Sequence, residues 1–198
     1  MSRTIRIKLY KFNELSEAAK EKAIEAYRNK RSDYGYAWDA ENLHTLKAFI
    51  DLFPIEQNRR GDGITFVKNR QIAEDIAELS GPRLMAYLWN NYRTHLFGGK
   101  QYHKRVGENT FKTWESKCVL SPYCCTLTGY CMDEDILRPI YDYLKKPTDQ
   151  DFEELLHACY HAWERAVEAD HEYQDSDECI SEELANMEDE FTRDGKRY

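Results

Sequence analysis

The residues best suited to bind a metal lie near residue 160, where histidines and glutamates recur at helical spacing. Glu154 and His157 are three residues apart, as are His161 and Glu164, so a helix would present two imidazoles and two carboxylates on one side. Ala158 stands where a zinc metalloprotease of the H-E-x-x-H type needs its glutamate, which excludes that class. Exposed helix faces carry Glu and His at these spacings without any metal. We therefore expect a solvated polar face, with a metal at His157 and His161 as the alternative.

Cysteines are the other candidate metal ligands and nucleophiles. The chain has six: Cys118, Cys124, Cys125, Cys131, Cys159 and Cys179. None forms a C-x-x-C pair, the spacing by which one turn gives two thiolates to a zinc ion. No G-x-S-x-G motif or phosphate-binding loop occurs either. We predict buried reduced thiols, no cofactor, no metal and no catalytic residue, and we keep a metal-dependent enzyme as an alternative.

Basic and aromatic residues alternate in the middle of the chain, a pattern that can hold phosphates and stack bases. The basic members are Lys100, Lys104, Arg105, Lys112 and Lys117, and the aromatic rings are Tyr102, His103, Phe111 and Trp114. The whole chain, however, carries a formal net charge of −8. A polyanion would be repelled by that charge, so we predict that the protein does not bind nucleic acid directly.

Acidic residues are concentrated near the C-terminus. Residues 149–191 contain 16 Asp or Glu and one basic residue, Arg165, whereas residues 1–148 carry a net charge of +5. A dense carboxylate surface on firm helices can occupy a Lys/Arg groove built for nucleic acid, since complementary potentials steer association; it can also serve only to keep the protein soluble. The predicted partner-binding residues are Asp170, Glu172, Asp175, Asp177, Glu178, Glu182, Glu183, Glu188, Asp189 and Glu190.

The elements that must position these residues follow from hydrophobic period and capping signals. Alternation predicts a strand over residues 4–12, and Ser16 is a natural N-cap for a helix that ends near residue 31. A second helix over residues 38–53 would bury Leu43, Leu46 and Phe49 and end at Pro54. The pattern then indicates a strand at 64–67 and a third helix at 70–79.

The same signals predict the elements of the second half of the chain. Ser80, Gly81 and Pro82 begin a helix that Gly98 and Gly99 end. Two strands at 102–106 and 110–114 precede a helix at 132–146, in which Pro139 implies a late start near residue 135 or a kink.

The acidic segment itself has clear amphipathic character. From Phe152 to Val167 one apolar stripe recurs at helical spacing, and a second helix is predicted over residues 177–191. An extended end with a turn at Asp194 and Gly195 follows. The fold class is therefore α+β: mostly helical, with a few short antiparallel strands and an acidic C-terminal helical pair. We predict an α+β body at 1–148 and an acidic helical arm at 149–198, docked on the body as one domain.

Cellular location can be inferred from what the sequence lacks. No run of about 18 apolar residues is present, and the first ten residues contain no apolar signal segment. We expect a cytoplasmic protein with no membrane partner.

Four stretches resemble a group of small proteins encoded by phages and prophages, whose members are often labelled hypothetical or antitoxin-like. The stretches are IKLYKFNELSEAAKEKAIEAYR (7–28), LSGPRLMAYLWNNY (79–92), LTGYCMDEDIL (127–137) and FTRDGKRY (191–198). The resemblance implies an accessory protein that binds a host component, such as a restriction or CRISPR complex. The function predicted is a non-catalytic inhibitor of a host defence protein, whose acidic surface competes for a nucleic-acid groove. The alternative is an antitoxin-like regulator that neutralises a partner toxin.

Overall fold

The structure is a computed structural model that describes residues 6–58, 60, 63–67, 76–96, 101–107, 110–115 and 125–198, without the side chains of 32–34, 101–103, 111 and 113–115. The described residues are mainly helical with short antiparallel strands, which confirms the predicted α+β class. Their helices are α1 Glu17–Tyr34, α2 Asp39–Leu52, α3 Gly81–Leu96, α4 Met132–Lys145, α5 Phe152–Gln174 and α6 Asp177–Asn186. Their strands are β1 Ile55–Gln57, β2 Ile64–Phe66, β3 Gln101–Arg105 and β4 Phe111–Glu115, paired as two antiparallel hairpins, β1 with β2 and β3 with β4.

The chain divides into two compact units. Unit 1 comprises residues 1–39 and 168–198, and unit 2 comprises residues 40–167. This division differs from the predicted boundary at 148/149, because the acidic segment splits within α5 and its C-terminal part joins the first helix of the chain. Charge marks a boundary in composition, whereas a compact unit is set by which apolar faces pack together.

Unit 1 is built around a small core. Its buried residues are Phe12, Leu15, Ala19, Ala23, Ile24, Ile180, Leu184 and Phe191. They come from the start of the chain, from α1, from α6 and from the C-terminal tail. The apolar stripes of α1 and α6 therefore cover each other, which is why two polar helices are stable here.

The last eight residues are tied to the start of the chain. Tyr10 and Phe191 exchange both backbone hydrogen bonds at 2.9 Å, and Phe191 also forms a bridge with Arg197. Gly195 turns the tail with φ +86°, and a Cβ at this position would lie 2.1 Å from the carbonyl oxygen of Ala19 on α1. Only glycine fits so close to another backbone. The predicted turn at Asp194 and Gly195 is confirmed.

Unit 2 holds the larger core. Among its fully buried side chains are Phe49, Leu84, Leu88, Ile136, Leu137, Ile140, Phe152, Leu155 and Leu156. They come from α2, α3, α4 and α5. The first half of the predicted stripe on α5 thus packs as expected, and Asp151 and Glu154 begin that helix by bonding each other's backbone amides at 3.2 and 2.8 Å, a capping box.

The carboxylate of Asp133 organises the chain before α4. It is fully buried, and its Oδ2 accepts hydrogen bonds from the backbone amides of Leu127, Thr128 and Gly129 at 2.9, 2.7 and 3.1 Å. Its Oδ1 accepts the hydroxyls of Thr128 at 2.7 Å and Thr45 at 3.3 Å. A buried charge is costly unless it is hydrogen-bonded. These bonds therefore fix residues 127–129 to the start of α4 and to α2.

Several predictions of local structure are wrong. Residues 6–12 form no strand, because the bridge between Tyr10 and Phe191 is the one β-type backbone pairing that they make with described residues; residues 4 and 5 lie outside the described residues. Leu43 is 59% exposed rather than buried. Helix α4 runs from Met132 to Lys145 and includes Pro139, so the predicted helix at 132–146 is confirmed and only the alternative of a late start near residue 135 is wrong.

Two predicted helices are shorter or different. Helix α6 ends at Asn186 instead of reaching residue 191, because Phe191 is held in its bridge to Tyr10. Of the helix predicted at 70–79, residues 70–75 lie outside the described residues and Ile76–Glu78 is a single 3₁₀ turn.

Candidate functional site

The ten predicted partner-binding carboxylates all lie in unit 1, on the end of α5, on α6 and just after it. Four of them are half-buried, and each has a partner within the unit. Asp170 accepts a hydrogen bond from Gln174 at 2.8 Å, and Asp175 accepts the hydroxyl of Tyr36 at 2.6 Å. These carboxylates stabilise the fold and are poorly placed to bind a second macromolecule.

The other two half-buried carboxylates form ion pairs. Glu183 pairs with Arg31, and Asp189 pairs with Arg197 at 2.6 Å. Asp177, although exposed, pairs with Arg28. Three of the ten predicted carboxylates are thus neutralised by arginines of the protein's own chain, two of them by arginines of α1, and two more accept hydrogen bonds from neutral side chains.

Arg28 and Arg31 also bond the end of α5. The Nε of Arg28 donates to the carbonyl of Asp175 at 2.9 Å, and a terminal nitrogen of Arg31 donates to the carbonyl of Gln174. Carbonyls at a helix C-terminus lack helical partners and carry partial negative charge, so cations are stabilising there. Burial acts to lower the pKa of Arg31, but its hydrogen bond with Tyr27 and the charge of Glu183 outweigh this and leave that pKa raised.

The remaining five carboxylates, which we name the exposed carboxylates, are Glu172, Glu178, Glu182, Glu188 and Glu190. Within the part of the chain that the structure describes, their side chains make no hydrogen bond or ion pair. Glu178 and Glu182 lie one helical turn apart on α6, about 6 Å along its axis. Two negative charges at this distance and without cations between them can attract a basic surface.

A second cluster in unit 1 joins the loop after α1, the first residue of α2 and the end of α5, and it was missed by sequence reasoning. His171 on α5 bonds Asp39 at 2.7 Å, and its ring stacks on Tyr36 with centroids 3.9 Å apart. The hydrogen bond to Asp175 is the main reason that the pKa of Tyr36 is raised. Residues 36 and 171 are far apart in sequence, so no local pattern could have indicated this stack.

A cleft of about 360 Å³ opens beside this cluster, between α1, the end of α6 and the C-terminal tail. It is lined by cationic, aromatic and apolar side chains, among them Tyr27, Lys30, Arg31, Met187 and Arg197. Arg31 and Arg197 are already paired with carboxylates, and Arg31 also satisfies a helix C-terminus. Their positive charge is thereby explained by structure rather than by a ligand.

The candidate metal ligands on α5 are not brought together. His161 bonds Glu164 at 2.8 Å on the exposed side of the helix, and the rings of His157 and His161 have centroids 6.5 Å apart. No group of three or more His, Cys, Asp or Glu residues suited to a metal occurs among the residues described. Glu154 and His161 are exposed, whereas His157 and Glu164 are half-buried.

The cysteines that the structure describes do not form part of a metal-binding group either. Cys159 and Cys179 are buried, Cys131 is exposed and Cys125 is half-exposed, all as thiols. Burial raises the pKa of Cys159 strongly, and burial followed by the charge of Glu183 raises that of Cys179. Neither is therefore a ready nucleophile. Cys118 and Cys124 lie outside the described residues.

The basic hairpin is confirmed as β3 and β4 in unit 2. Lys104 and Lys112 face each other across it, and both are exposed, as is Arg105. Lys100 and Lys117 lie outside the described residues. The side chains of the intervening aromatic residues are not described, so the hairpin offers three exposed cations and no defined stacking surface.

None of the described helices is both long and apolar enough to cross a lipid bilayer. In comparison with known proteins, no family model, curated protein or solved structure matches this chain.

Proposed function

We propose that this protein is a phage-encoded, non-catalytic inhibitor that binds a host defence protein or nucleoprotein complex in the cytoplasm. The target is of the CRISPR or restriction type, and the acidic surface competes with nucleic acid for a basic groove. The observation that carries the proposal is the division of the acidic residues in unit 1. Arginines of α1 and the tail pair with three carboxylates of this set, while the exposed carboxylates keep their charge toward solvent.

Charge spacing supports this proposal. Successive phosphates on one strand of a DNA duplex rise about 3.4 Å along its axis. Glu178 and Glu182 are about 6 Å apart along the axis of α6. This is close to the rise along the duplex axis over two phosphate steps of one strand. A groove whose lysines and arginines are spaced for phosphates could therefore meet carboxylates at a similar spacing. Such an interaction weakens as salt rises.

Pairing within unit 1 supports a role in binding. Firmly held helices present fixed charges and lose little conformational freedom on binding, which favours affinity. The phage resemblance of residues 7–28 and 191–198 falls on the same unit.

Charge reversal with a matched control tests this function. Glu178→Lys/Glu182→Lys should abolish the capture of a nucleic-acid-handling complex from host lysate. Glu21→Lys/Glu25→Lys reverses an equally spaced, exposed pair on α1 and changes the net charge identically, so it should leave capture intact. Equal loss of capture in both variants would show that net charge alone causes the effect. Full retention of capture in the α6 variant would show that Glu178 and Glu182 do not bind the target.

A competition assay separates the proposal from its alternative. The wild-type protein should release duplex DNA or guide RNA from the captured complex, in a salt-sensitive way. If the protein instead silences a toxic neighbouring gene product and leaves every nucleic-acid-handling complex unaffected, the antitoxin-like function replaces the one proposed.

A further inference from the structure

Trp38 combines two unusual properties. It has φ +69°, the one non-glycine residue with positive φ in the part of the chain described, and its side chain is 66% exposed. Positive φ is costly for a bulky residue and persists only where surrounding bonds impose it. Large aromatic side chains usually gain their stabilisation by burial. Trp38 therefore has both a strained backbone and an indole that contributes little to the core.

Bonds on both sides impose this conformation. The amide and carbonyl of Ala37 bond the side chain of Gln174 at 2.9 and 3.1 Å. On the other side, Asp39 bonds His171 at 2.7 Å. Both neighbours of Trp38 are thus fixed to the last turns of α5, and Gln174 is itself 6% exposed. The residue between them has no freedom to relax.

The turn alone does not require a tryptophan. Glycine adopts positive φ at no steric cost, as Gly35 does three residues earlier with φ +81°. The indole makes no ring stacking or cation–π contact with the residues described. Neither the turn nor the core explains this residue, which leaves its exposed ring face as the feature to be explained.

Charge around this position defines what the ring could bind. Residues 168–175 contain four acids, and the side chain of Asp39, which follows Trp38 in the chain, is 41% exposed; against these five acids stand two arginines of α1, Arg28 and Arg31, which bond the carbonyls of Asp175 and Gln174. Glu172 and Tyr173 on the same turns of α5 are exposed. A ring face in a negative field attracts cations, and tryptophan is the strongest cation–π partner among side chains. It is also the residue most enriched at binding hot spots.

We propose that Trp38 is the aromatic anchor for an arginine or lysine side chain of a basic protein partner. The inference deepens the proposed function, on which it rests: the exposed carboxylates supply long-range attraction, and the held indole supplies a defined contact. Because its backbone is fixed before binding, the indole engages its partner at low entropic cost.

The test uses the full chain and a fluorescent nine-residue arginine peptide as the probe, with a nine-residue citrulline peptide as the neutral, nearly isosteric control. Binding is followed by anisotropy at low salt. Wild type should bind the arginine peptide and not the citrulline peptide. Trp38→Ala should weaken binding about five- to tenfold, and Trp38→Phe should weaken it less than threefold, since phenylalanine keeps a ring face.

A third variant separates binding from backbone strain. Trp38→Gly should melt at or above the wild-type temperature, because glycine accepts φ +69°, and yet lose affinity as Trp38→Ala does. Tyr198→Ala, which removes a 76% exposed ring from the tail, is the matched control and should bind as wild type. Wild type that fails to bind the arginine peptide, or Trp38→Ala that binds it fully, would overturn the inference.

The failure of this inference can be told from that of the proposed function. If Glu178→Lys/Glu182→Lys loses the peptide while Trp38→Ala keeps it, the anchor is excluded and the acidic surface stands. If Trp38→Ala loses the peptide but the protein captures no nucleic-acid-handling complex, the anchor stands and the inhibitor function falls.

Discussion

Arg31 on α1 pairs with Glu183 on α6 while it also bonds the carbonyl of Gln174 at the end of α5. One guanidinium thus joins three helices of unit 1. The pair explains how so acidic a segment folds, because α1, whose last turns carry Arg28 and Arg31, packs against α6. It also shows that Glu183, predicted as partner-binding from its charge, serves the fold.

Arg31→Ala should lower the free energy of unfolding by about 1–2 kcal/mol, because it leaves Glu183 and a helix C-terminus without a cation. The figure is modest since the Glu183 side chain is 35% exposed. Urea denaturation measures it. Arg193→Ala removes an exposed arginine of the tail and should change the midpoint little. Equal midpoints for both variants would show that the Arg31 bonds contribute nothing to stability.

Helices could be predicted from the sequence to the extent that local signals determine them. Gly35 ends α1, Pro82 opens α3, and the stripe beginning at Phe152 marks the buried side of α5, because capping and periodicity act within a few residues. Leu43 shows the limit. It fits the apolar spacing of α2 but is exposed, since a periodic position is buried only where another element covers it.

The candidate site could be predicted only in part, for the same reason. Composition located the acidic segment, and the exposed Glu178 and Glu182 agree with it. Composition could not separate them from Asp175 or Glu183, because the partners Tyr36 and Arg31 lie more than 130 residues away in sequence. The exposed position of Trp38 could not be predicted from the sequence, because its backbone conformation is imposed by tertiary hydrogen bonds of its two neighbours.

Asp133→Ala should be the most destabilising single change in unit 2. It would leave three backbone amides and two hydroxyls without their acceptor, at a cost of about 3 kcal/mol or more. Thermal melting measures the loss. Asp135→Ala removes an acid from the same first turn of α4 but only a long ion pair with Arg138 at 3.8 Å, and should cost under about 1 kcal/mol. Comparable melting temperatures for the two variants would contradict this role of Asp133.

Alkaline pH should destabilise the protein through Tyr92. Burial, then its hydrogen bond with Tyr87, raises the pKa of Tyr92 strongly, so the folded phenol keeps its proton where an unfolded one loses it. This contribution is fully present below about pH 10 and is lost as pH rises above it, at up to about 1.4 kcal/mol per pH unit. Tyr92→Phe should flatten the decline of the urea midpoint above about pH 10. An unchanged slope of the urea midpoint against pH would show that Tyr92 does not cause the decline. Tyr198→Phe serves as the exposed control.

Thiol accessibility should differ sharply between Cys131 and Cys159. Cys131 is exposed, whereas Cys159 on α5 is fully buried and its pKa is raised by burial. N-ethylmaleimide should modify Cys131 readily and Cys159 at least about a thousandfold more slowly, because only opening of the core exposes it. Peptide mass spectrometry of timed samples gives both rates. Similar rates would mean that the core of unit 2 opens far more often than its packing implies.

The contact of Gly195 with Ala19 gives residues 191–198 an architectural role. A methyl group there would collide with the carbonyl of the first helix, so the tail either fits this notch or cannot close over it. A nascent chain would then complete this unit only after residues 191–198 leave the ribosome. Tyr198 itself points to solvent, being 76% exposed, so an affinity tag can extend from it without entering the notch.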